Sequence, residues 1–269
     1  MKAGTTSLHD YLDAHPDISM SHPKELNFFS NERYWRKGVA WYERHFRSAV
    51  KVRGESSTSY TVFPRISHVP ERMHALVPDA KLIYVVRDPV GRLVSHFVHA
   101  VSDGSERRSF SEVVSSIADG EPSRYVYQSL YFRQLEHFLH FYRRDQILVV
   151  ESERLQRDRE ETLRSICGFL ELSDQVPGAA LAREQNGGDL RFVRNRWRNL
   201  IYPTWLQSHP RIPWQAKSPF YRLARIGAKP IDRPSPSEEE TAQLVELFRS
   251  DVRELRRVAA GIGRNWLNY

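Results

Sequence analysis

Cysteine occurs once in the 269 residues, at Cys167. A disulfide within the chain is therefore impossible, and a reducing, cytoplasmic location is the expectation. Lysine is scarce: seven of the 40 basic residues are lysine and the rest are arginine. No apolar run approaches the roughly 18 residues that a membrane-spanning helix needs. The opening residues, Met1-Lys2-Ala3-Gly4-Thr5-Thr6, lack a basic-then-apolar pattern, so no signal peptide is expected. The dipeptide Gly-Lys is absent, which excludes a Walker A loop. Internal repeats and low-complexity tracts are missing too.

Hydrophobic residues make up 40% and charged residues 27%, a globular composition that rules out a long disordered chain. The formal net charge is +7, unevenly spread. Segment 191–233 carries Arg191, Arg194, Arg196, Arg198, Arg211, Lys217, Arg222, Arg225, Lys229 and Arg233 against one acid, Asp232. The rest is slightly acidic. Such a patch favours an anionic ligand, a glycan or a membrane surface, or is simply solvated. Seven of the 15 prolines fall between Pro203 and Pro236. The expectation is one domain over 1–269, with 191–236 a basic, proline-rich excursion near the functional face.

Helices are expected at about 5–14, 39–46, 65–76, 90–101, 128–143, 159–170 and 238–258, from apolar residues at helical spacing. Ser237-Glu238-Glu239-Glu240 has the spacing of a capping box. Strands are expected at Ile18–Ser21, Lys51–Glu55, Lys81–Val86 and Ile147–Val150. The near-continuous apolar runs of the last two suit buried parallel strands. Strands alternating with helices predict an α/β fold, a mostly parallel central sheet flanked by helices in three layers.

Three stretches carry chemistry. Lys2-Ala3-Gly4-Thr5-Thr6-Ser7-Leu8 opens a helix. Gly4 lets backbone approach a ligand closely, and the following amides, three hydroxyls and the helix dipole favour an anion. Lys2 adds a point charge. Taken alone, the stretch also reads as an ordinary helix cap. In Arg87-Asp88-Pro89-Val90-Gly91-Arg92-Leu93-Val94-Ser95-His96, Arg87 ends the clearest strand, where open parallel sheets bind ligands. Arg87 and Ser95 can grip a phosphate together; the alternative is an Arg87–Asp88 ion pair. In Pro23-Lys24-Glu25-Leu26-Asn27-Phe28-Phe29, apolar neighbours can desolvate Glu25 and suit it to general-base work, or it is simply exposed. The pairs His96/His99 and His137/His140 lie on helices and read as packing or surface residues, and no metal site is expected.

Together the three stretches resemble the sulfotransferases that use 3′-phosphoadenosine 5′-phosphosulfate, in particular the heparan sulfate branch and its bacterial relatives. The resemblance runs from Lys2 to about Leu172. It takes in His15-Pro16-Asp17, Gly54-Glu55-Ser56-Ser57-Thr58-Ser59-Tyr60, Val69-Pro70-Glu71-Arg72, Ala80 to Phe97, Ser129-Leu130-Tyr131 and Phe169-Leu170, with a weaker echo at Trp266. It implies a P-loop-like fold and in-line sulfuryl transfer from that donor to a hydroxyl or amine, without a metal. Lys2, Ala3, Gly4, Thr5, Thr6 and Ser7 would cradle the 5′-phosphosulfate. Arg87 and Ser95 would bind the 3′-phosphate. Glu25 would be the general base, and Lys2 would stabilise the leaving oxygen. The acceptor would be a glycan, a lipid or a small metabolite. Nucleic acid is not expected as a partner, and peripheral membrane contact is compatible.

The match has departures. Relatives carry a hydrophobic strand directly ahead of the first loop, whereas Met1 stands inside that motif here; a chain extended upstream is expected to be more stable. Ser56 stands where some heparan-type enzymes have a lysine. A Lys-Gly-Arg clamp is missing, and Arg194-Asn195-Arg196 is the substitute, with Arg194 assigned to the donor. The competing readings are a non-catalytic truncated relative that binds a nucleotide, polyanion or membrane through 191–233, and a kinase or other P-loop enzyme.

Overall fold

The computed structural model describes residues 4–121, 123–173 and 230–267, with Gly178, Pro219 and Phe220 besides. Most of the basic excursion therefore lies outside the described residues. In chain order the elements are α1 (Thr5–Asp13), β1 (Ile18–Met20), α2 (Glu32–Trp35), α3 (Val39–Glu43), β2 (Val52–Gly54), α4 (Val69–Leu76), β3 (Leu82–Val86), α5 (Pro89–Asp103), α6 (Phe110–Ala118), α7 (Arg124–Tyr127), α8 (Tyr131–Leu139), β4 (Ile147–Glu151), α9 (Ser152–Arg157), α10 (Arg159–Phe169) and α11 (Glu238–Val258). Single 3-10 turns occupy Thr58–Tyr60 and Arg144–Gln146.

Local chemistry accounts for many boundaries. Pro89 opens α5, the Asp88 carboxylate accepts from the Gly91 amide at 2.7 Å, and Gly104 closes the helix with φ 79°. The expected capping box stands at the start of α11, where Ser237 and Glu240 satisfy each other's amides. A second box, Ser109 with Glu112, starts α6. The helix expected over 128–143 is the shorter α8, which begins four residues after α7 ends. Its start is capped from a distance: the Asp251 carboxylate on α11 accepts from the Phe132 and Arg133 amides at 2.9 and 3.0 Å. The helix expected from 65 begins only at Val69, with a proline in its first turn.

All strand pairing among the described residues is parallel, as the alternation of strands and helices predicts. It forms two pairs rather than one continuous sheet. β1 lies beside β2, with Ile18 opposite Val52 and Met20 opposite Gly54. β3 lies beside β4, with Leu82 opposite Ile147 and Val86 opposite Glu151. The β3–β4 pair divides two apolar clusters by simple alternation. Val86 and Val149 face the larger one, with Phe28, Phe29, Leu93, Phe248 and Leu255. Val85 and Val150 face the smaller one, with Leu8, Leu12, Ile18 and Ile166.

Consecutive residues of β2 (Val52, Arg53, Gly54) and of β3 (Leu82, Ile83, Tyr84, Val85) line one cavity of about 940 Å³. Successive side chains point to opposite faces of a strand, so a cavity touched by all of them lies against the strand's edge. This explains why Leu82, Ile83 and Tyr84, in an apolar run that suits a fully buried strand, are only half-buried while Val86 is sealed.

Candidate active site

The first helix begins with its amides open. Gly4 occupies the N-cap with φ 81° and ψ 13°, a conformation that side chains rarely adopt, and it has no side chain to cap the turn. The N–H groups of Thr5, Thr6 and Ser7 have no acceptor within their own helix. Gly4 sits against the junction of β4 and α9, where a Cβ on it would be 3.4 Å from the Ser152 hydroxyl.

The second expected motif reaches the same junction. Glu153, next to Ser152, accepts from the Asp88 amide at 3.1 Å and lies 3.7 Å from Arg87 Nε. The ion pair seen for Arg87 among the described residues is with Glu153, while an Asp88 oxygen turns back to cap α5. The Arg87 guanidinium folds over the first turn of α5, with Nε 3.8 Å from where a Gly91 Cβ would stand. Ser95 follows on that helix, half-buried. Burial pushes the Glu153 carboxyl up, opposed by the Asp88 amide and, more weakly, by Arg87. Its Oε2 is buried without a hydrogen-bond partner among the described residues. The structure thus brings the Gly4 turn, which leads into Thr5, Thr6 and Ser7, and Arg87 to one strand-end junction, with Ser95 farther along α5. Lys2, Ala3 and Arg194 lie outside the described residues.

Glu25 does not meet the expectation of a desolvated carboxylate. Its apolar neighbours turn inward, with Leu26 and Phe28 buried, while its own side chain is 41% exposed and pairs with Lys24 Nζ at 2.7 Å. Its backbone is unusual. Glu25 has φ 62° and Asn27 φ 53°, two left-handed residues within three positions. The segment after β2 holds them there. The Ser56 carbonyl accepts from the Glu25 amide at 3.2 Å, Ser57 Oγ accepts from the Asn27 amide at 2.9 Å, and Thr58 Oγ1 donates to Glu25 Oε2 at 3.4 Å. Ser59 Oγ donates to Asn27 Oδ1 and is 2.6 Å from Ser30 Oγ.

The less exposed carboxyl of this region is Glu55, which is half-buried. It receives the Tyr60 hydroxyl at 2.7 Å on both oxygens, the Tyr42 hydroxyl at 3.0 Å and the Ser57 hydroxyl. Burial pushes its carboxyl up against the opposing pull of these donors, and burial beside Glu55 pushes both tyrosines up as well. Nearby, Ser56 Oγ lies 2.7 Å from His9 Nδ1. His9 is lowered by burial first and by Lys24 second.

Sequence reasoning also missed Arg92, which is 1% exposed. Its guanidinium donates to the Tyr125 carbonyl at 3.2 Å, Ser129 Oγ at 3.1 Å and Gln128 Oε1 at 2.8 Å. His96, one turn on, is 3.4 Å away and is pushed down to about 2 by burial and by Arg92. The Arg-x-x-x-His spacing places both on one helical face, the only local signal that they belong together.

Comparison with known proteins agrees with this geometry. A family described as "Sulfotransferase domain" matches residues 1–184. The heparan sulfate glucosamine 3-O-sulfotransferase 3B1 of Mus musculus is 33% identical over 178 residues, covering 64% of this chain and 44% of that protein. The bifunctional heparan sulfate N-deacetylase/N-sulfotransferase 2 of Homo sapiens is 28% identical over 188 residues, covering 63% of this chain and 21% of that protein. The chain thus spans about half or less of the length of these curated relatives. A crystal structure of a sulfotransferase from Alicyclobacillus acidocaldarius superposes with a TM-score of 0.63 at 25% identity, covering 96% of this chain and 91% of that one. With the family match extending over well more than half of its residues, and the same α/β fold in the bacterial structure, the chain belongs to the sulfotransferase family.

Proposed function

We propose that the chain transfers a sulfuryl group from 3′-phosphoadenosine 5′-phosphosulfate to a hydroxyl or amine of a glycan. The observation that carries this reading is the meeting of the Gly4 turn and Arg87 at the Ser152–Glu153 junction. A donor with anions at both ends of an adenosine needs two such grips, and ATP has no 3′-phosphate for the second. The residues fit the group: Gly4 has a conformation suited to glycine, the amides after it lack helical acceptors, and Arg87 is a half-buried cation held only loosely, at 3.7 Å, by Glu153.

Bound there, the donor supplies the sulfuryl group and a stable bisphosphate leaving group. The amides of Thr5, Thr6 and Ser7 hold the 5′ end, with Lys2 neutralising the oxygen that departs. Arg87 and Ser95 hold the 3′-phosphate, and Arg194 is assigned to close over the donor. Glu25, held by Lys24 and Thr58, accepts the proton of the acceptor group as its oxygen or nitrogen bonds to sulfur and the sulfur–bridging-oxygen bond breaks. Positioning and electrostatics do most of the work. The names of the relatives point to a heparan-type acceptor, and the basic stretch 191–233 suits an anionic polymer. A reducing compartment suits the lone thiol of Cys167, which is buried.

A thermal-shift titration with adenosine 3′,5′-bisphosphate, AMP and ATP, followed by transfer of label from the donor to a heparan-type glycan, tests the proposal. The bisphosphate is expected to raise the melting temperature well above the effect of AMP or ATP. Glu25→Gln is expected to cut kcat by about 10²-fold or more and leave that shift intact. A chain that shifts with the bisphosphate yet transfers nothing to glycans, lipids or small hydroxylated acceptors is a binding protein instead. Equal shifts with all three nucleotides remove the donor assignment.

A further inference from the structure

We propose that Glu55 is a positioning residue for sulfuryl transfer: half-buried beneath the Ser56–Tyr60 segment, it anchors the hydroxyls that hold Glu25 and Asn27 in their left-handed conformation. This rests on the reading of Glu25 as the base.

Among the described residues Glu55 forms no salt bridge; the hydroxyls of Tyr42, Ser57 and Tyr60 reach its carboxyl. A carboxylate accepts only, so each of these hydroxyls must donate to it. That leaves the lone pairs of Ser57 Oγ facing outward, where the Asn27 amide donates to them at 2.9 Å. The order of donors is thus set from the buried end: Glu55 orients Ser57, and Ser57 orients the backbone at Asn27. Tyr60 works in parallel. Its single O–H is shared between both Glu55 oxygens, and its ring packs on Phe29 at 5.7 Å, at the far end of the Glu25 loop.

The loop needs such holding. A glutamate at φ 62° is in a sparsely populated conformation, and so is Asn27 at φ 53°. Conformations of this kind persist only when their surroundings over-determine them. Within the loop, Asn27 Nδ2 donates to the Glu25 carbonyl at 2.7 Å and the Asn31 amide to the Asn27 carbonyl at 2.9 Å. The contacts from outside the loop come from 56–59, the four residues that follow Glu55: the Ser56 carbonyl, Ser57 Oγ, Thr58 Oγ1 and Ser59 Oγ. Remove the anchor and these contacts lose their common reference, and a carboxylate misplaced by about 1 Å is enough to cost on the order of 10²-fold in rate.

The test combines kinetics with amide exchange. In Glu55→Ala, kcat for transfer from labelled donor to a heparan-type glycan is expected to fall about 10- to 100-fold. Affinity for adenosine 3′,5′-bisphosphate should stay within about twofold, since Gly4 and Arg87 are untouched. Glu55→Gln, which keeps one accepting oxygen, should recover part of the loss. Exchange of the Glu25 and Asn27 amides should quicken at least about tenfold while that of Tyr11 and Leu12 in α1 does not. If Glu55→Ala does not fold, Ser57→Ala is the probe, expected to lose about tenfold in kcat with the same exchange signature. A merely structural role predicts a lower melting temperature with unchanged kcat per folded molecule and unchanged exchange at 25 and 27, and that result overturns the proposal. Undiminished turnover in Glu25→Gln overturns the base reading instead, and the exchange measurement still decides whether Glu55 holds the loop.

Discussion

At the scale of single residues, this protein puts charge where the sequence does not advertise it. Arg92 sits in the middle of a motif whose first arginine, Arg87, attracts the attention, yet Arg92 is the one sealed in the interior. A buried guanidinium is tolerated because its planar fork meets several acceptors at once. Here they are the Tyr125 carbonyl, Ser129 and Gln128, all neutral. Arg92→Lys keeps the charge and loses the fork. The expected cost is about 2–3 kcal/mol in a denaturant titration. A loss under about 0.5 kcal/mol would mean that the acceptors find other donors. Arg87, in contrast, is held loosely by Glu153, at 3.7 Å.

At the scale of elements, α8 and α11 are joined through Asp251. Its carboxyl caps α8 from 118 residues away along the chain. Burial raises it to about 6, only partly opposed by the amides it accepts from. The folded state therefore holds a proton more tightly than the unfolded chain does. Stability from this group is full at low pH and is lost as pH rises from about 4 to about 6, by as much as about 3 kcal/mol. Asp251→Asn does not titrate. Its stability relative to the native chain should rise by up to that amount across the same window. A constant difference between pH 4 and 7 would show that Asp251 ionises freely in the fold.

The same pair of helices shows where sequence reading stops. β3, the Asp88-Pro89 start of α5 and the capping box of α11 are local patterns, so their residues announce them. The boundary of α8 is set by a residue on another helix, and no window around 128–143 contains it. The candidate site divides in the same way. The Gly4 turn and Arg87 are legible because glycine before a helix and arginine after a strand each carry their own chemistry. Glu55 is not, because its role depends on Tyr42 and on two left-handed residues about 30 positions earlier. The apolar neighbours of Glu25 do not desolvate it: Leu26 and Phe28 enter the core, while Glu25 is 41% exposed.

At the scale of the whole molecule, the parallel strands stand as two pairs, and one cavity of about 940 Å³ touches the edges of both β2 and β3. Along those edges, alternate peptide groups have no strand partner among the described residues, and apolar side chains surround them. Such borders are adhesive: they template the addition of a foreign strand, and here the only lysines beside Val52–Gly54 and Leu82–Val86 among the cavity's lining residues are Lys51 and Lys81, at their starts. Sedimentation at rising protein concentration should therefore reveal self-association, weakened by Val52→Lys. A monodisperse solution at every concentration would mean that the molecule keeps its own seams closed.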